Sequence, residues 1–311
     1  MTNQPLWGDK RFHSLSYYLQ QEFGRKIYKL SLNGGMTCPN RDGTLDTRGC
    51  IFCSSGGSGD FSPSSLLSVT NQIKEAKKLV SNKIKAKSDL SYIAYFQAYT
   101  NTYGDIAYLR EIFTEAIMNP DIVALSIATR PDCLDNEVLE LLAELNKLKP
   151  VWLELGLQTC HEETATFIRR GYPLSCFEEA VNNLYRLKLP IIVHVIIGLP
   201  GESISDILET IAYVSSLPIQ GIKLQLLHIL KNTDLANYTF PVLTMEEYIN
   251  IVVLSLEILP QNIVIHRITG DGPKNLLIAP LWSSNKKLVL NGINQELKFR
   301  DTYQGKRLEK K

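Results

Sequence analysis

The sequence lacks any apolar run near the roughly 20 residues that a membrane-spanning helix needs. Its 311 residues are 44% hydrophobic and 21% charged, and the formal net charge of +1 shows that the chain as a whole is not a polycation. Any nucleic-acid binding must therefore depend on a local basic patch. Residues 1–10 are polar and lack the apolar core of a signal peptide. We therefore expect a cytoplasmic protein that has no membrane contact.

Cysteine is too sparse and too unevenly spaced for a disulfide framework. The chain has six cysteines, and the cytoplasm keeps thiols reduced. Three of them, Cys38, Cys50 and Cys53, lie within one short segment, whereas the other three are far apart in the sequence. The clustering of the first three favours a metal centre. We expect the other three to be buried or half-buried thiols.

Six short apolar runs of β type alternate with segments of helical period. The runs cover residues 27–32, 92–98, 122–128, 151–157, 191–197 and 221–227. Most of them begin about thirty residues apart, the usual length of one strand–helix–strand unit. They are apolar throughout, as expected of parallel strands that are covered on both faces. The pattern predicts an α/β protein, either an open partial barrel or a doubly wound sheet, with ligands at the carboxyl ends of the strands.

The alternation weakens from about residue 243 onward. The pattern there predicts helices at 245–259 and 284–299, a last strand at 262–267, and a polar, basic tail beyond Arg300. We therefore divide the chain into a barrel unit, residues 1–242, and a C-terminal α/β extension, residues 243–311.

The segment 33–59 follows the first predicted strand and contains the three clustered cysteines. Cys50 and Cys53 form a C-x-x-C pair, Cys38 lies twelve residues before Cys50, and seven glycines occupy the segment. These glycines let the backbone wrap closely around a bulky ligand. Three thiolates are one short of the four that usually hold a cubane iron–sulfur cluster. The fourth iron then keeps an open site, which can bind the amino and carboxylate groups of S-adenosylmethionine (SAM).

Two other interpretations of this segment stay open. A zinc site normally has four ligands, and His13 is the nearest upstream candidate for the fourth. A thioredoxin-like pair would lie at a helix N-terminus, without a third cysteine and its glycines. The combined pattern favours a [4Fe–4S] cluster held by Cys38, Cys50 and Cys53.

The segment resembles the signature of the radical SAM superfamily, most members of which have the shorter spacing C-x3-C-x2-C. The longer spacing here, C-x11-C-x2-C, is similar to that of the YhcC/YtqA-type subfamily and, more distantly, to that of the catalytic subunit of Elongator. The resemblance extends from about residue 8 to about residue 305. It implies a partial (βα)6 TIM-like barrel of the radical SAM type, with a [4Fe–4S] cluster and SAM as cofactors.

Later segments resemble the SAM-binding motifs of coproporphyrinogen-dehydrogenase-like radical SAM enzymes. By that resemblance Glu154 and Gln158 hold the SAM ribose, Arg170 holds the SAM carboxylate, and the segment around Gly198 passes the adenine. His194 departs from the pattern, because the related enzymes often have Asp there. Polar groups at the ends of the second and third strands are expected to complete the cofactor site: Gln97, Thr100, Asn101, Ser126, Thr129 and Arg130. The alternative for Glu154 and Arg170 is a structural ion pair.

Candidate catalytic residues lie in two segments outside the cofactor motifs. His228 and Lys231 follow the sixth predicted strand, and Arg267 and Asp271 lie at and beyond the last one. Each of them could contact the substrate. Helix capping, surface ion pairs and loop hydrogen bonds explain the same residues equally well.

The subfamily resemblance also implies a substrate and partners. It points to tRNA, in which a carboxymethylaminomethyl group at C5 of the wobble uridine becomes aminomethyl, and it implies an electron donor of the flavodoxin or ferredoxin type. Basic residues of the C-terminal tail could neutralise RNA phosphates: Lys298, Arg300, Lys306, Arg307, Lys310 and Lys311. The alternatives are a radical SAM enzyme for a small metabolite or tetrapyrrole, and a non-catalytic iron–sulfur or zinc protein.

Overall fold

The computed structural model describes residues 5–81, 90–270 and 272–308. In these residues, seven parallel strands form one sheet in the order β1-β2-β3-β4-β5-β6-β8. The strands are β1 (Ile27–Leu32), β2 (Ser91–Phe96), β3 (Ile122–Thr129), β4 (Val151–Gln158), β5 (Ile191–Ile197), β6 (Gly221–Leu226), β7 (Ile229–Leu230), β8 (Val264–Arg267) and β9 (Leu277–Ala279). The helices are α1 (Leu15–Phe23), α2 (Val69–Ser81), α3 (Ile106–Met118), α4 (Asn136–Asn146), α5 (Glu162–Phe167), α6 (Leu174–Arg186), α7 (Ile204–Ser215), α8 (Met245–Ile258) and α9 (Lys286–Phe299).

The six predicted strands are confirmed, and each begins within one residue of the predicted position. The expected count of six is nevertheless one short, because β8 pairs in parallel with β6 and extends the same sheet. The helix α8 connects β6 to β8, so the strand–helix alternation continues beyond residue 242. The division of the chain at residues 242 and 243 stays a prediction.

The sheet curls into a partial barrel. Neighbouring strands lie about 4.8 Å apart, so β1 and β4 would be about 14 Å apart in a flat sheet. Yet Lys29 of β1 reaches Glu154 of β4 with an N–O distance of 2.7 Å, and Lys223 of β6 contacts the same carboxylate. These contacts across the concave face settle the choice between a barrel and a doubly wound sheet in favour of the partial barrel.

The helices cover the outer face of the sheet. The helix α7 begins at a capping box, in which Ser203 and Asp206 satisfy each other's main-chain N–H groups. Its apolar side chains Ile207, Ile211 and Val214 are buried against the sheet, as its periodicity predicted. Burial of such a side chain stabilises the fold by about 1.5–3 kcal/mol. This packing fixes the strands and therefore fixes where their carboxyl ends converge.

A small two-stranded sheet lies beyond the carboxyl end of β6. The strands β7 and β9 pair antiparallel there, and the main-chain N–H of Lys231 donates to the carbonyl of Leu276. This pairing holds the chain that follows β8 close to the chain that follows β6. Among the described helices, none has the length and apolar composition needed to cross a membrane.

Candidate active site at the carboxyl ends of the strands

A cavity of about 260 Å³ opens at the carboxyl ends of the barrel strands. Parallel strands place the residues that follow them at this one end of the barrel. The predicted site residues that line the cavity are Cys38, Cys50, Cys53, Gln97, Thr100, Thr129, Arg130, Glu154, Gln158, Arg170, His228 and Arg267. The structure therefore brings together most of the residues that the sequence singled out.

The cysteine segment is held against the cavity by two polar side chains. Arg41 donates from Nη2 to the carbonyls of Cys53, at 2.9 Å, and Ser54, at 2.7 Å. Asn40 donates to the carbonyl of Arg169 at 2.8 Å, and its amide nitrogen lies 3.6 Å from Sγ of Cys50. The segment is thus tied to the loop after α5, and the thiols face the cavity.

A zinc site normally has four ligands, so the three thiols would need one more. His13, the candidate fourth ligand, does not line the cavity, and its Nδ1 lies 3.1 Å from the carbonyl of Gln261. The zinc interpretation with His13 is therefore wrong, and the donor set fits a four-iron cluster.

Burial controls the protonation of the Cys50 thiol. Together with the neighbouring Cys53 and Cys38, and against the opposing effect of Arg130, it raises the pKa of this thiol to about 12. A thiol of that pKa stays protonated at neutral pH until a metal displaces its proton. Cluster assembly at Cys50 should therefore release a proton.

Glu154 lies at the floor of the cavity, at the centre of a buried polar cluster. Its Oε1 accepts from Lys29 at 2.7 Å and from Ser126 at 2.5 Å, and its Oε2 accepts from His194 at 2.8 Å and from Lys223. Burial alone would raise the pKa of Glu154, but Lys223, Lys29 and His194 bring it well below its ordinary value. The carboxylate is therefore ionised and held in one orientation.

His194 is neutral in this cluster. Burial and the cation of Lys223 lower the pKa of His194 to about 4. Because the ionised Glu154 can only accept, Nε2 of His194 carries the proton and donates to it. Nδ1 of His194 is then an acceptor.

Arg170 is almost completely occupied by the protein itself. Its Nη1 donates to the carbonyls of Thr159, at 2.8 Å, and Leu157, at 3.3 Å. Its Nε donates to the carbonyl of Tyr172, and its Nη2 donates to Glu162, both at 3.0 Å. These contacts with described residues occupy four of the five N–H groups of the guanidinium, so one is left for a ligand. The alternative interpretation of Arg170 and Glu154 as a structural ion pair is wrong, because each residue has other partners.

Gln158 is a predicted SAM-binding residue with a side-chain oxygen that can accept a hydrogen bond from a ligand. It lines the cavity, and its φ of 70° is unusual for a residue other than glycine. Its Oε1 is buried and has no hydrogen-bond partner among the described residues. A buried unpaired oxygen costs about 1–3 kcal/mol, which a donor on a bound ligand would recover. This orphaned atom fits the expected contact with a ribose hydroxyl.

Four predicted residues lie outside the cavity lining. Asn101 donates its amide to the carbonyls of Phe96 and Ala128 and so ties the end of β2 to the end of β3. Ser126 donates its hydroxyl to Oε1 of Glu154, and Lys231 is exposed. Gly198 has a φ of 91°, and its Cα lies against Leu243. Asp271 lies outside the described residues.

Sequence reasoning missed the two lysines of the buried cluster and Tyr95. Lys29 and Lys223 lie in the middle of apolar strands, and the hydroxyl of Tyr95 accepts from Lys223 at 3.0 Å. A charged residue inside a strand that is apolar on both faces was the available signal, because lysine is almost never buried without a partner.

A curled parallel sheet with three thiols in the loop after its first strand defines the radical SAM class of enzymes. The chain belongs to this class: the family model described as Radical SAM superfamily matches residues 47–214, and the Radical_SAM C-terminal domain matches residues 219–298. Enzymes of this superfamily use a [4Fe–4S] cluster and SAM. The chain is 45% identical to "Uncharacterized protein YtqA" of Bacillus subtilis, over 96% of this chain and 93% of YtqA. The predicted subfamily is therefore confirmed.

Two further proteins are more distantly similar. A tRNA uridine(34) acetyltransferase of Methanocaldococcus infernus is 26% identical over 171 residues, which are 52% of this chain and 31% of that protein. The solved structure of Elp3 from the same organism, with its N-terminus deleted, superposes with a TM-score of 0.65. It covers 89% of this chain and 64% of the Elp3 chain at 17% identity. This likeness supports the fold, the predicted α/β partial barrel of the radical SAM type.

Proposed function

We propose that this radical SAM enzyme modifies tRNA, by converting the carboxymethylaminomethyl group at C5 of a wobble uridine to aminomethyl. The observation that carries the proposal is the similarity, over 52% of the chain, to a relative whose name specifies uridine 34 of tRNA. The resemblance of the cysteine spacing to the YhcC/YtqA-type subfamily supports the same substrate. The proposal includes a cytoplasmic location and an electron donor of the flavodoxin or ferredoxin type.

The described residues suit the binding of both cofactors. Cys38, Cys50 and Cys53 would hold the cluster, and Gln158 with the floor around Glu154 would hold the ribose of SAM. When bound, the reduced cluster and SAM together supply a 5′-deoxyadenosyl radical, which removes a hydrogen atom from an unactivated C–H bond. Such a site must exclude water and hold the target carbon near the radical. The curled sheet provides the enclosing walls.

The uridine must leave its stacked position in the anticodon loop to enter this cavity. Single-stranded loops allow this at low cost, because their bases can be splayed out of the stack. Removal of a hydrogen atom from the CH2 between amine and carboxylate, with return of one electron from the resulting radical to the cluster and loss of the N–H proton, would give an imine. Water would then cleave the C–N bond and release the arm as glyoxylate, so that SAM is the net oxidant. Of the candidate catalytic residues, His228 and Arg267 line the cavity and could contact such an arm.

The test is a comparison of the modified nucleosides in tRNA from wild-type cells and from cells that lack the gene. We expect carboxymethylaminomethyl-uridine to accumulate in the deletion strain and aminomethyl-uridine to disappear. A plasmid with the wild-type gene should restore the nucleoside, and one with Cys53→Ala should not. If the nucleosides are unchanged, the tRNA substrate is wrong, and a small metabolite or tetrapyrrole becomes the better candidate.

A second measurement tests whether the protein is catalytic at all. The anaerobically reconstituted protein is mixed with SAM and dithionite, and 5′-deoxyadenosine is quantified. We expect its formation at four bound irons per chain, as for a [4Fe–4S] cluster. Four bound irons without any 5′-deoxyadenosine would instead support a non-catalytic iron–sulfur protein.

A further inference from the structure

Three basic residues lie side by side on the concave face of the barrel. The register pairs His194 of β5 with Lys223 of β6, and Lys223 with Arg267 of β8. His194 and Lys223 both contact Glu154, so this rung of the sheet faces the interior. His194 is neutral, so the like charges of this rung are those of Lys223 and Arg267, and like charges directly opposite one another on neighbouring strands are unfavourable. Such a rung therefore requires compensating negative charge.

Glu154 supplies only part of that charge. Among the described residues, Lys29, Lys223 and His194 contact Glu154 directly. The ionisable groups Tyr95 and His266 also interact with it, and Arg267 acts on its partner His194. Lys29 and Lys223 already occupy both carboxylate oxygens. The cations of Lys29 and Arg267 also lower the pKa of Lys223. The floor thus carries more positive than negative charge.

Within the described residues, Arg267 is the cation of this group with the weakest hydrogen bonding. It is half-buried and lines the cavity, and its hydrogen bonding to the described residues consists of one contact, from Nη1 to Oε1 of Gln225, at the long distance of 3.5 Å. The planar fork of a guanidinium matches a carboxylate. The guanidinium is therefore poised to bind an anion that enters the cavity.

This anion site is separate from the cations near the cysteines. The charges that act on the thiols of Cys50 and Cys53 are those of Arg130 and Arg41. Arg267 acts instead on His194 and Lys223, beneath the opposite part of the cavity. A ligand held at the cluster by its amino and carboxylate groups would consequently leave Arg267 without an anion.

We propose that Arg267 binds a carboxylate of the substrate, and that the cavity is built for a substrate with an N-substituted glycine arm. The identification of the arm rests on the proposed function, since the carboxylate is the anionic group of a carboxymethylaminomethyl side chain. The site also explains how the enzyme would distinguish its substrate from its product, which lacks that carboxylate.

The first experiment uses sarcosine, the free equivalent of the arm, with the reconstituted holoenzyme in the presence of saturating SAM. Ligand-observed NMR compares sarcosine with dimethylamine, which has the amine but lacks the carboxylate. We expect wild type to bind sarcosine at least tenfold more tightly, Arg267→Gln to lose roughly that factor, and Arg267→Lys to keep part of it. Arg110→Gln, at an exposed surface pair, is the matched control and should bind like wild type.

Three results would overturn the carboxylate site. The first is equal binding of the two ligands by wild type, the second is unchanged sarcosine binding by Arg267→Gln, and the third is sarcosine binding that is seen only when SAM is left out. Iron content and circular dichroism of each variant establish that it is folded. Because the measured quantity is a ratio between two ligands, a general weakening of the cavity would not imitate the expected result.

The second experiment separates this site from the proposed function. Binding is measured for an anticodon stem-loop with carboxymethylaminomethyl-uridine at the wobble position and for the same RNA with aminomethyl-uridine. We expect wild type to prefer the first RNA and Arg267→Gln to bind both alike. If Arg267→Gln keeps the preference, the proposed carboxylate site at Arg267 is wrong, whereas the proposed RNA substrate is retained. If wild type binds sarcosine as expected but does not distinguish the RNAs, the proposed function fails and the carboxylate site stands.

Discussion

Below pH 7, where Lys223 is charged, replacement of Glu154 by Gln should destabilise the protein strongly, because it removes the anion between Lys29 and Lys223. The side chain of Glu154 is 0% exposed, and that of Lys223 is 4% exposed. Removal of one partner of a buried ion pair typically costs about 3–5 kcal/mol, since the remaining charge is left uncompensated. Lys29 would be affected too, but its side chain is 19% exposed and can reach water.

The expected loss can be converted into a change of melting temperature. With an unfolding entropy of about 2.1 cal/mol/K per residue, a chain of 311 residues has about 0.65 kcal/mol/K. A loss of about 3–5 kcal/mol then lowers the melting temperature by roughly 5–8 °C. Differential scanning calorimetry of the anaerobic holoprotein and denaturant titration of the same samples would measure it.

A second substitution tests the reason for the loss. The double variant Glu154→Gln, Lys223→Met removes both charges of the pair, and it should be more stable than Glu154→Gln alone. The control is Glu144→Gln, whose ion pair with Arg110 is about half exposed on both sides and should contribute less than about 1 kcal/mol. The reasoning would be refuted if Glu154→Gln lost as little free energy of unfolding as the control. It would also be refuted if the loss in the double variant equalled the sum of the losses in the two single variants.

Three further predictions concern the cluster, the pH dependence and the strand ends. Cys53→Ala should lose the iron–sulfur absorbance and all formation of 5′-deoxyadenosine, whereas Cys176→Ala should retain both; SAM cleavage by Cys53→Ala would refute the ligand assignment. Burial lowers the pKa of Lys223 from 10.5 to about 7, so between these pH values the unfolded chain binds more protons and stability should rise with pH. Lys223→Met should lack this rise when denaturant unfolding is compared at pH 7 and pH 9, and an equal rise in both proteins would assign it to another group. Asn101→Leu should cost about 1–3 kcal/mol, because it removes the side-chain donor to the carbonyls of Phe96 and Ala128, of which Ala128 keeps the main-chain N–H of residue 101. Formation of 5′-deoxyadenosine per folded molecule should persist; a loss of SAM binding at unchanged stability would restore Asn101 as a cofactor ligand.

The fold was accessible from the sequence because its signals are local. Parallel strands buried on both faces give continuous apolar runs, and all six runs became strands in sequential order. The strand β8 has only four residues, Val264–Arg267, and a segment that short has little periodicity of its own. Its place in the sheet depends on the packing of α8, which is a tertiary effect. The choice of a barrel depends on contacts between β1, β4 and β6 that no local pattern encodes.

The candidate site was predictable to the extent that its residues follow strands directly. Cys38 and Gln158 illustrate this, since each comes at or soon after a strand end and lines the cavity. Asn101 has the same type of position in the sequence, but its amide turns back to the main chain. The orientation of one side chain after a strand depends on which neighbouring carbonyls lack a partner, and that information is absent from the sequence.

The buried lysines show how the interior of this barrel differs from an ordinary core. Barrel interiors of this kind are usually filled by branched apolar side chains, yet here Lys29, Glu154 and Lys223 meet at the centre. Well-packed apolar residues of similar volume are often as stabilising as a buried ion pair, or more so, so stability alone does not account for the cluster. The cluster is explained by a need to orient a charged substrate beside the cofactor. In that case Glu154 is held ionised in one orientation, and Arg267 binds the anionic group of the substrate. Apolar replacement of both Lys223 and Glu154 should then leave the fold intact but abolish the preference for a carboxylate-bearing ligand.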